Sequence, residues 1–148
     1  MTYLKRQSRP YLTMEFFLQV GAIMPEQCLL VLAAKNNEYV GAALSFIGSD
    51  TLYGRYWGCY EEYNALHFEA CYYQGLDYCI SHGLQHFDSG AQGEHKISRG
   101  FEPILTHSAH WIKDPHFAKA IGDFVKREKL HVLQYQSDAA DFLPFKKD

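Results

Sequence analysis

The pattern of apolar and polar positions over the first sixty residues predicts three successive strands. An apolar run at 29–34 is typical of a buried strand, and strands at 39–47 and 51–59 follow it after short polar turns. This spacing indicates an antiparallel meander. Upstream, Thr13 precedes an apolar group at 14–20, which predicts a short capped helix that ends near Gly21.

The second part of the chain changes to a helical period. A helix is predicted over 64–82, a strand over 84–89, a loop entering a short helix over 90–99, a strand over 104–112 and a last helix over 115–140. Gly83 is placed to end the first of these helices and Asp114-Pro115 to start the last. The apolar stripes consist of Leu66, Ala70, Tyr73, Leu76 and Ile80, and of Phe117, Ile121, Phe124, Val132, Tyr135 and Phe142. These elements predict one α+β (α/β) domain over 1–148 with a mixed sheet, a meander followed by helix, strand, helix and strand.

Composition excludes several classes of protein. A length of 148 residues suits one domain with a full core, and a net charge of −3 gives no footprint for a duplex nucleic-acid binder. The longest apolar run, Cys28–Ala34, is far shorter than the roughly 20 residues of a membrane span, and no leader opens the sequence. The four cysteines form no CxxC pair. We therefore expect a soluble cytoplasmic protein with reduced thiols.

The third predicted strand has two different faces. Strict alternation places Arg55 between Tyr53 and Trp57 on one face, where the guanidinium could grip an anion or stack on a flat group. Gly54 and Gly58, on the other face, would let a backbone or ligand approach closely. A structural arginine stacked on aromatic rings, with glycines that mark bulges, explains the same pattern, and both interpretations stay open.

The segment 88–101 carries the densest candidate chemistry. Glycines before a probable helix start would turn backbone amides toward a ligand, and Lys96 and Arg99 add positive charge for an anion or carboxylate. Glu94 and His95 supply acid and base groups in the same place, and Gln92 adds an amide. A solvated charged loop is the alternative.

Other histidines favour structural roles. If 104–112 is a strand, His107 and His110 point to opposite faces, so they cannot form a close metal pair, and no metal site is predicted. His67 and Glu69 are two positions apart on the middle helix and face different directions, so a functional role for either is the less favoured interpretation.

Several motifs together resemble those of the bacterial FemAB-like proteins of peptidoglycan biosynthesis or recognition, within the GNAT acyltransferase superfamily. The specific motif is the long one, 90–101, which reads GAQGEHKISRGF; the shorter motifs GRYWGC at 54–59, LHFE at 66–69, CYYQ at 71–74 and SAHW at 108–111 support it. The resemblance covers nearly the whole chain, roughly 2–147.

The resemblance implies a GNAT-like fold and direct attack of an amine on a bound acyl donor, without a covalent enzyme intermediate. The donor would be aminoacyl-tRNA, as in Fem transferases, or acyl-CoA, as in ordinary GNAT enzymes. The loop 60–64 is acidic and lacks a glycine-rich pyrophosphate pattern, which disfavours acetyl-CoA bound in the usual way. FemAB-like proteins carry two GNAT-like halves, and this chain resembles the C-terminal one, so we expect either a fragment or a single-domain relative.

Two functions follow as hypotheses. In the first, an acyl- or aminoacyltransferase uses Glu94 or His95 to deprotonate a small-molecule or peptide amine, while Lys96 and Arg99 hold an anionic part of a substrate. Further substrate-binding residues would be Arg55, Trp57 and Gln92. In the second, a non-catalytic module binds a cell-wall peptide or a partner protein. The long last helix exceeds what one small sheet covers, so we also expect a homodimer or a missing N-terminal half.

Overall fold

The structure is a computed structural model that describes residues 11–91 and 93–145. The chain divides into two compact units, Met1–Ala91 and Gln92–Asp148, each of which is described by itself. The first unit contains the sheet, and the second contains a 3₁₀ helix and the long last helix. A single domain over 1–148 stays a prediction.

The first unit follows the predicted order of elements. Its helices and strands are α1 (Met14–Ile23), a 3₁₀ turn (Pro25–Gln27), β1 (Cys28–Lys35), β2 (Glu38–Ile47), β3 (Thr51–Cys59), a helical segment, and β4 (His86–Asp88). The strands lie in the order β1-β2-β3-β4, antiparallel except for β4, which runs parallel to β3. The predicted α+β class, the mixed sheet and the interior position of β3 are confirmed.

Local sequence explains the first turns. The Thr13 hydroxyl accepts a hydrogen bond from the Phe16 amide at 3.4 Å and caps α1. Asn36 and Asn37 join β1 to β2 with φ angles of 53° and 65°. Positive φ at both central residues is the geometry of a tight hairpin turn, and asparagine tolerates it better than most side chains do.

The helical segment after β3 contains an irregularity that the sequence pattern did not predict. Its pieces are α2 (Leu66–Phe68), a π-helical turn (Glu69–Tyr73) and α3 (Gln74–His82), which ends at Gly83 as predicted. A π turn adds a residue and shifts the helix phase by about 100°. The predicted stripe is therefore wrong in part: Tyr73 and Ile80 are exposed, whereas Ala70, Tyr72, Gly75 and Cys79 are buried.

The core of the first unit lies between the sheet and this helical segment. The π turn packs on β1 and β2, and α3 packs on β3 and β4. Leu52 of β3 is fully buried. The Phe87 ring of β4 lies where a Cβ atom of Gly75 would be, since that Cβ would be 2.5 Å from the ring, whereas a Cβ at Gly54 would be in ordinary van der Waals contact with it at 3.6 Å. The close approach of helix and strand thus requires glycine at position 75.

The second unit contains a 3₁₀ helix (Glu94–Arg99) and α4 (Pro115–Ala140). The predicted start of α4 is confirmed, because the Asp114 Oδ1 accepts a hydrogen bond from the Phe117 amide at 2.9 Å and Pro115 opens the first turn. Most of the predicted apolar stripe of α4 is exposed, including Phe117, Phe124 and Tyr135.

The strand predicted over 104–112 is wrong, because this segment has no regular secondary structure. Ile104 and Trp111, two of its apolar side chains, are 73% and 84% exposed. An apolar run forms a strand only when a neighbouring strand completes the hydrogen-bond ladder, and composition alone does not supply that partner. The sheet consequently gains no strand after β4 among residues 11–91 and 93–145.

Replacing Gly75 should test the packing of α3 on β4. In Gly75→Ala the new Cβ would meet the Phe87 ring at 2.5 Å and a Leu52 methyl at 3.3 Å, so we expect a loss of about 1–3 kcal/mol in the free energy of unfolding, measured by urea titration. Gly21→Ala, in α1 with open space around the position, is the control and should be neutral or stabilising by up to about 1 kcal/mol. Equal stability of the two variants would contradict this packing.

Candidate functional site

A short turn between two glycines carries the candidate chemistry. Gly93 and Gly100 flank the 3₁₀ helix with φ angles of 110° and 88°, a region that side chains rarely adopt. Space is also restricted: a Cβ at Gly93 would collide with the His95 ring, and one at Gly100 would lie 2.5 Å from the Phe145 ring. The Lys96 amide donates to the Gly93 carbonyl at 3.0 Å and closes the turn.

This turn brings together four of the predicted site residues. Glu94 and His95 are exposed, whereas Lys96 and Arg99 are half-buried. Acid, base and cationic groups therefore occupy one six-residue helix. Gln92, also predicted as a substrate-binding residue, lies outside the described residues.

Arg99 has a bracing role within the turn. Its Nη1 donates to the His95 carbonyl at 2.6 Å and lies 3.5 Å from the Ser98 hydroxyl. The Ser98 hydroxyl donates to the same His95 carbonyl at 2.9 Å. These contacts tie the guanidinium to the backbone of its own turn, and binding of an anion by Arg99 stays a prediction.

The surroundings of His95 favour its neutral form. Partial burial lowers the pKa of the imidazole, and the positive charges of Arg99 and Lys96 lower it further. A histidine with a lowered pKa is unprotonated at neutral pH, which is the form that accepts a proton. The turn thus favours His95 as a base rather than as an acid.

The C-terminal part of α4 holds the turn by side-chain contacts that sequence reasoning missed. The Tyr135 hydroxyl donates to the Glu94 Oε1 at 3.1 Å, and the adjacent Gln136 donates from Nε2 to the Pro103 carbonyl at 3.0 Å. Because the Tyr135 hydroxyl donates to a carboxylate, and because that negative charge opposes ionisation, the pKa of Tyr135 is raised. Glu94 and Tyr135 are 41 positions apart, and the sequence carries no signal that pairs them.

Arg55 and Trp57 belong to the first unit. The β2–β3 register shifts at this point, pairing Leu44 with Tyr56 and Ser45 with Gly54, so Arg55 is an extra residue and strict alternation along β3 is wrong. Arg55 is exposed with its guanidinium carbon 5.6 Å from the Tyr53 ring centroid.

Trp57 is half-buried and packs edge-on to the His67 ring, with 5.7 Å between centroids. Its ring also covers Gly41, where a Cβ would lie 3.0 Å from it. These contacts give Trp57 a packing role. A convergence of Arg55 and Trp57 with the Glu94–Arg99 turn stays a prediction.

The first unit also contains a cavity of about 420 Å³ beside the β1–β2 hairpin. Ala65, one of its lining residues, has the left-handed conformation with φ of 61° and directly precedes α2. The Lys35 ammonium lies 5.0 Å from the Tyr63 ring centroid, and Glu69 accepts a hydrogen bond from the Gln74 side chain at 2.8 Å. A π turn and a strained residue often accompany functional sites. Of the candidate functional residues considered in the sequence, only Glu69 lines this cavity, and a functional role was the less favoured interpretation for it.

The remaining histidines do not form a metal site. His67 packs edge-on to Phe68 and Tyr72, as a structural residue would. His107 and His110 are exposed on the irregular segment, so the alternation argument for them no longer applies. No three His, Cys, Asp or Glu side chains within 11–91 and 93–145 are grouped closely enough to hold a metal ion.

All four cysteines are free thiols, and burial raises the pKa of the Cys79 thiol. In the parts of the chain that the structure describes, no helix has both the length and the apolar character required to cross a bilayer.

Comparison with known proteins gives one match. The sequence model of the FemAB-like family, described as peptidoglycan biosynthesis/recognition, matches residues 1–147. No curated protein and no solved structure shows significant similarity to the chain.

The electrostatics of the turn can be tested by titrating His95. We expect the imidazole to titrate below the ordinary pKa of about 6.5. Proton NMR of the histidine rings measures this titration, and the signal lost in His95→Gln identifies His95. Removing one neighbouring charge with Lys96→Gln should raise the His95 pKa, whereas Lys126→Gln, at an exposed position of α4, should leave it unchanged. A His95 pKa that Lys96→Gln does not move would contradict the described charge environment.

Proposed function

The chain belongs to the FemAB-like family of peptidoglycan biosynthesis and recognition, and we propose that it is a bacterial acyl- or aminoacyltransferase of FemAB/GNAT type acting on an amine acceptor. The observation that carries the proposal is the glycine-flanked turn, which joins a carboxylate, a neutral imidazole and two cations in one short helix. Few other tasks need all three kinds of group at one place.

The proposed reaction is a direct transfer. The nitrogen of the acceptor amine attacks the acyl carbonyl carbon, an N–C bond forms, and the C–S or C–O bond to the donor breaks. Glu94 or His95 receives the proton that the amine loses, and the leaving thiolate or alkoxide takes up a proton and departs as a thiol or hydroxyl. Of the two, His95 has the electrostatic setting of a base, because its lowered pKa leaves it unprotonated at neutral pH.

Lys96 and Arg99 would hold an anionic part of donor or acceptor. A phosphate of acyl-CoA, the backbone of aminoacyl-tRNA and a carboxylate of a cell-wall peptide all offer suitable anions. The family description makes a peptidoglycan peptide the proposed acceptor, and the donor, acyl-CoA or aminoacyl-tRNA, acts as co-substrate in the cytoplasm. Arg55, Trp57 and Gln92 complete the proposed substrate-binding set.

The cavity beside the β1–β2 hairpin favours a second candidate, a non-catalytic module that binds a cell-wall peptide. Its walls combine apolar and aromatic surface with Lys35 and Glu69, and it is built entirely from residues of the first unit. A binding module would use such a cavity and would need no base at His95. The two candidates therefore differ in whether purified protein forms a new amide bond.

Activity assays with variants should separate these candidates. With either acyl-CoA or aminoacyl-tRNA and an amine-bearing muropeptide, mass spectrometry should detect the acylated peptide. Whichever of Glu94→Gln and His95→Gln removes the base should lower kcat by about 10²–10⁴-fold. Lys96→Gln should mainly raise KM, because it removes a charge that binds substrate. Lys119→Gln, on an exposed face of α4, is the matched control. Unchanged kinetics in both Glu94→Gln and His95→Gln would remove both residues from the mechanism.

Association with a second copy is a separate prediction from the exposed face of α4. Phe117, Phe124 and Val132, which share one side of the helix, are 61%, 54% and 44% exposed, and we propose that a two-fold dimer covers them with at least about 1,000 Å² of interface. Light scattering at micromolar concentration should give twice the monomer mass. Phe124→Ser should lower that mass, and Lys126→Ser, at an exposed polar position, should not. A monomeric wild type would contradict the dimer.

A further inference from the structure

The long helix and the candidate turn meet at a specific hydrogen bond. Tyr135 donates to Glu94 at 3.1 Å, and Tyr135 is otherwise 56% exposed. Two contacts restrain the chain just after this turn: Gln136 donates to the Pro103 carbonyl, and the Phe145 ring lies where a Cβ of Gly100 would be. Tyr135 therefore contacts a turn whose C-terminal end is already held by other side chains.

Glu94 needs an external restraint more than its neighbours do. It occupies the first position of the 3₁₀ helix, is exposed, and has a side chain with three rotatable bonds. A positioned base must be held within hydrogen-bond reach of the proton it accepts. The phenol of Tyr135 is the side-chain partner that the structure shows for this carboxylate.

We propose that Tyr135 is a positioning residue, which holds the Glu94 carboxylate in place for the acceptor amine through the hydrogen bond from its hydroxyl. The proposal rests on the proposed function, since Glu94 acts in that reaction. The hydroxyl donates to Oε1, and a carboxylate has a second oxygen, which in this proposal accepts the proton of the amine. Charged or titratable groups next to the pair in the chain are His95, Lys96 and Arg99 on the turn and His131 and Asp138 on adjacent turns of α4, and Arg127, Glu128 and His131 line a surface pocket together with Tyr135.

The contact has a spectroscopic signature that does not depend on activity. In protein labelled with ¹³C at tyrosine Cζ, Tyr135→Phe assigns one of the 11 tyrosine signals, and that signal should titrate above the ordinary range near 10. Glu94→Gln removes the negative charge and should lower the Tyr135 pKa toward the ordinary value.

Tyr63 provides an internal control for this titration. Its pKa is also raised, by burial and by Glu61, whose carboxylate it contacts at 3.4 Å. Glu61→Gln should therefore lower the Tyr63 pKa and leave the Tyr135 signal unchanged, while Glu94→Gln should do the reverse. A Tyr135 signal that does not respond to Glu94→Gln would overturn the proposal.

Kinetics then test whether the contact positions the carboxylate. With the donor found in the activity assay, Tyr135→Phe should lower kcat by about 3- to 10-fold with KM unchanged, because one hydrogen bond to the carboxylate is lost. In the Glu94→Gln background the same change should cost nothing further. Tyr60→Phe, at an exposed loop position, should have no effect in either background.

The outcomes distinguish a failure of the positioning role of Tyr135 from a failure of the proposed transferase function. Transfer activity combined with independent, additive losses in the Tyr135 and Glu94 variants would overturn the positioning role and leave the proposed function standing. If neither donor supports acyl transfer, the proposed function fails, and the positioning role fails with it, even where the tyrosine titration confirms the contact.

Discussion

The Phe87 ring occupies the space that a side chain at Gly75 would need, and this contact lets α3 pack closely on β4. β4 is a strand of only three residues and joins β3 in parallel, which requires a crossover through the helical segment. A strand of three residues forms few backbone hydrogen bonds with its neighbour, so these bonds contribute little to its stability. Packing of its central ring against α3, next to the fully buried Leu52, fastens both the crossover and the last strand of the sheet.

In the second unit the corresponding constraint is the pair of glycines around the 3₁₀ helix. Their positive φ angles, and the rings of His95 and Phe145 packed against them, leave no room for a side chain at either end of the turn. The pKa of His95 is lowered in the same turn by partial burial of its ring, and the positive charges of Arg99 and Lys96 lower it further. A backbone requirement and an electrostatic effect thus occur in one turn, and together they support proton acceptance as the proposed chemistry.

Local signals in the sequence predicted local structure well. Thr13, Asn36-Asn37, Gly83 and Asp114-Pro115 each satisfy a requirement of their own turn or cap, so their elements begin or end where the pattern indicates. Features that depend on distant residues were not predictable. The π turn, the bulge at Arg55 and the absent strand at 104–112 depend on packing partners or on a neighbouring strand.

In the candidate site, too, the sequence predicted the residues that are neighbours in the chain and missed those that are distant in it. Glu94, His95, Lys96 and Arg99 lie within six consecutive positions, so the sequence places them together. Tyr135 and Gln136 of α4, and Phe145 beyond its end, contact the turn or the residues just after it from far along the chain. Periodicity assigned Tyr135 to an apolar stripe, because a tyrosine ring satisfies that pattern whatever its hydroxyl contacts. The cavity at the hairpin was missed for a similar reason, since its walls come from four separate segments.

The central claim is that the Glu94–Arg99 turn is where the acceptor binds. Its most direct test is a titration of ¹⁵N-labelled protein with an amine-bearing muropeptide, followed by amide chemical shifts. The account predicts shift changes centred on residues 93–100 and on Tyr135. Changes confined to the cavity lined by Lys35, Tyr63 and Glu69, with the turn unaffected, would contradict it and favour the binding module.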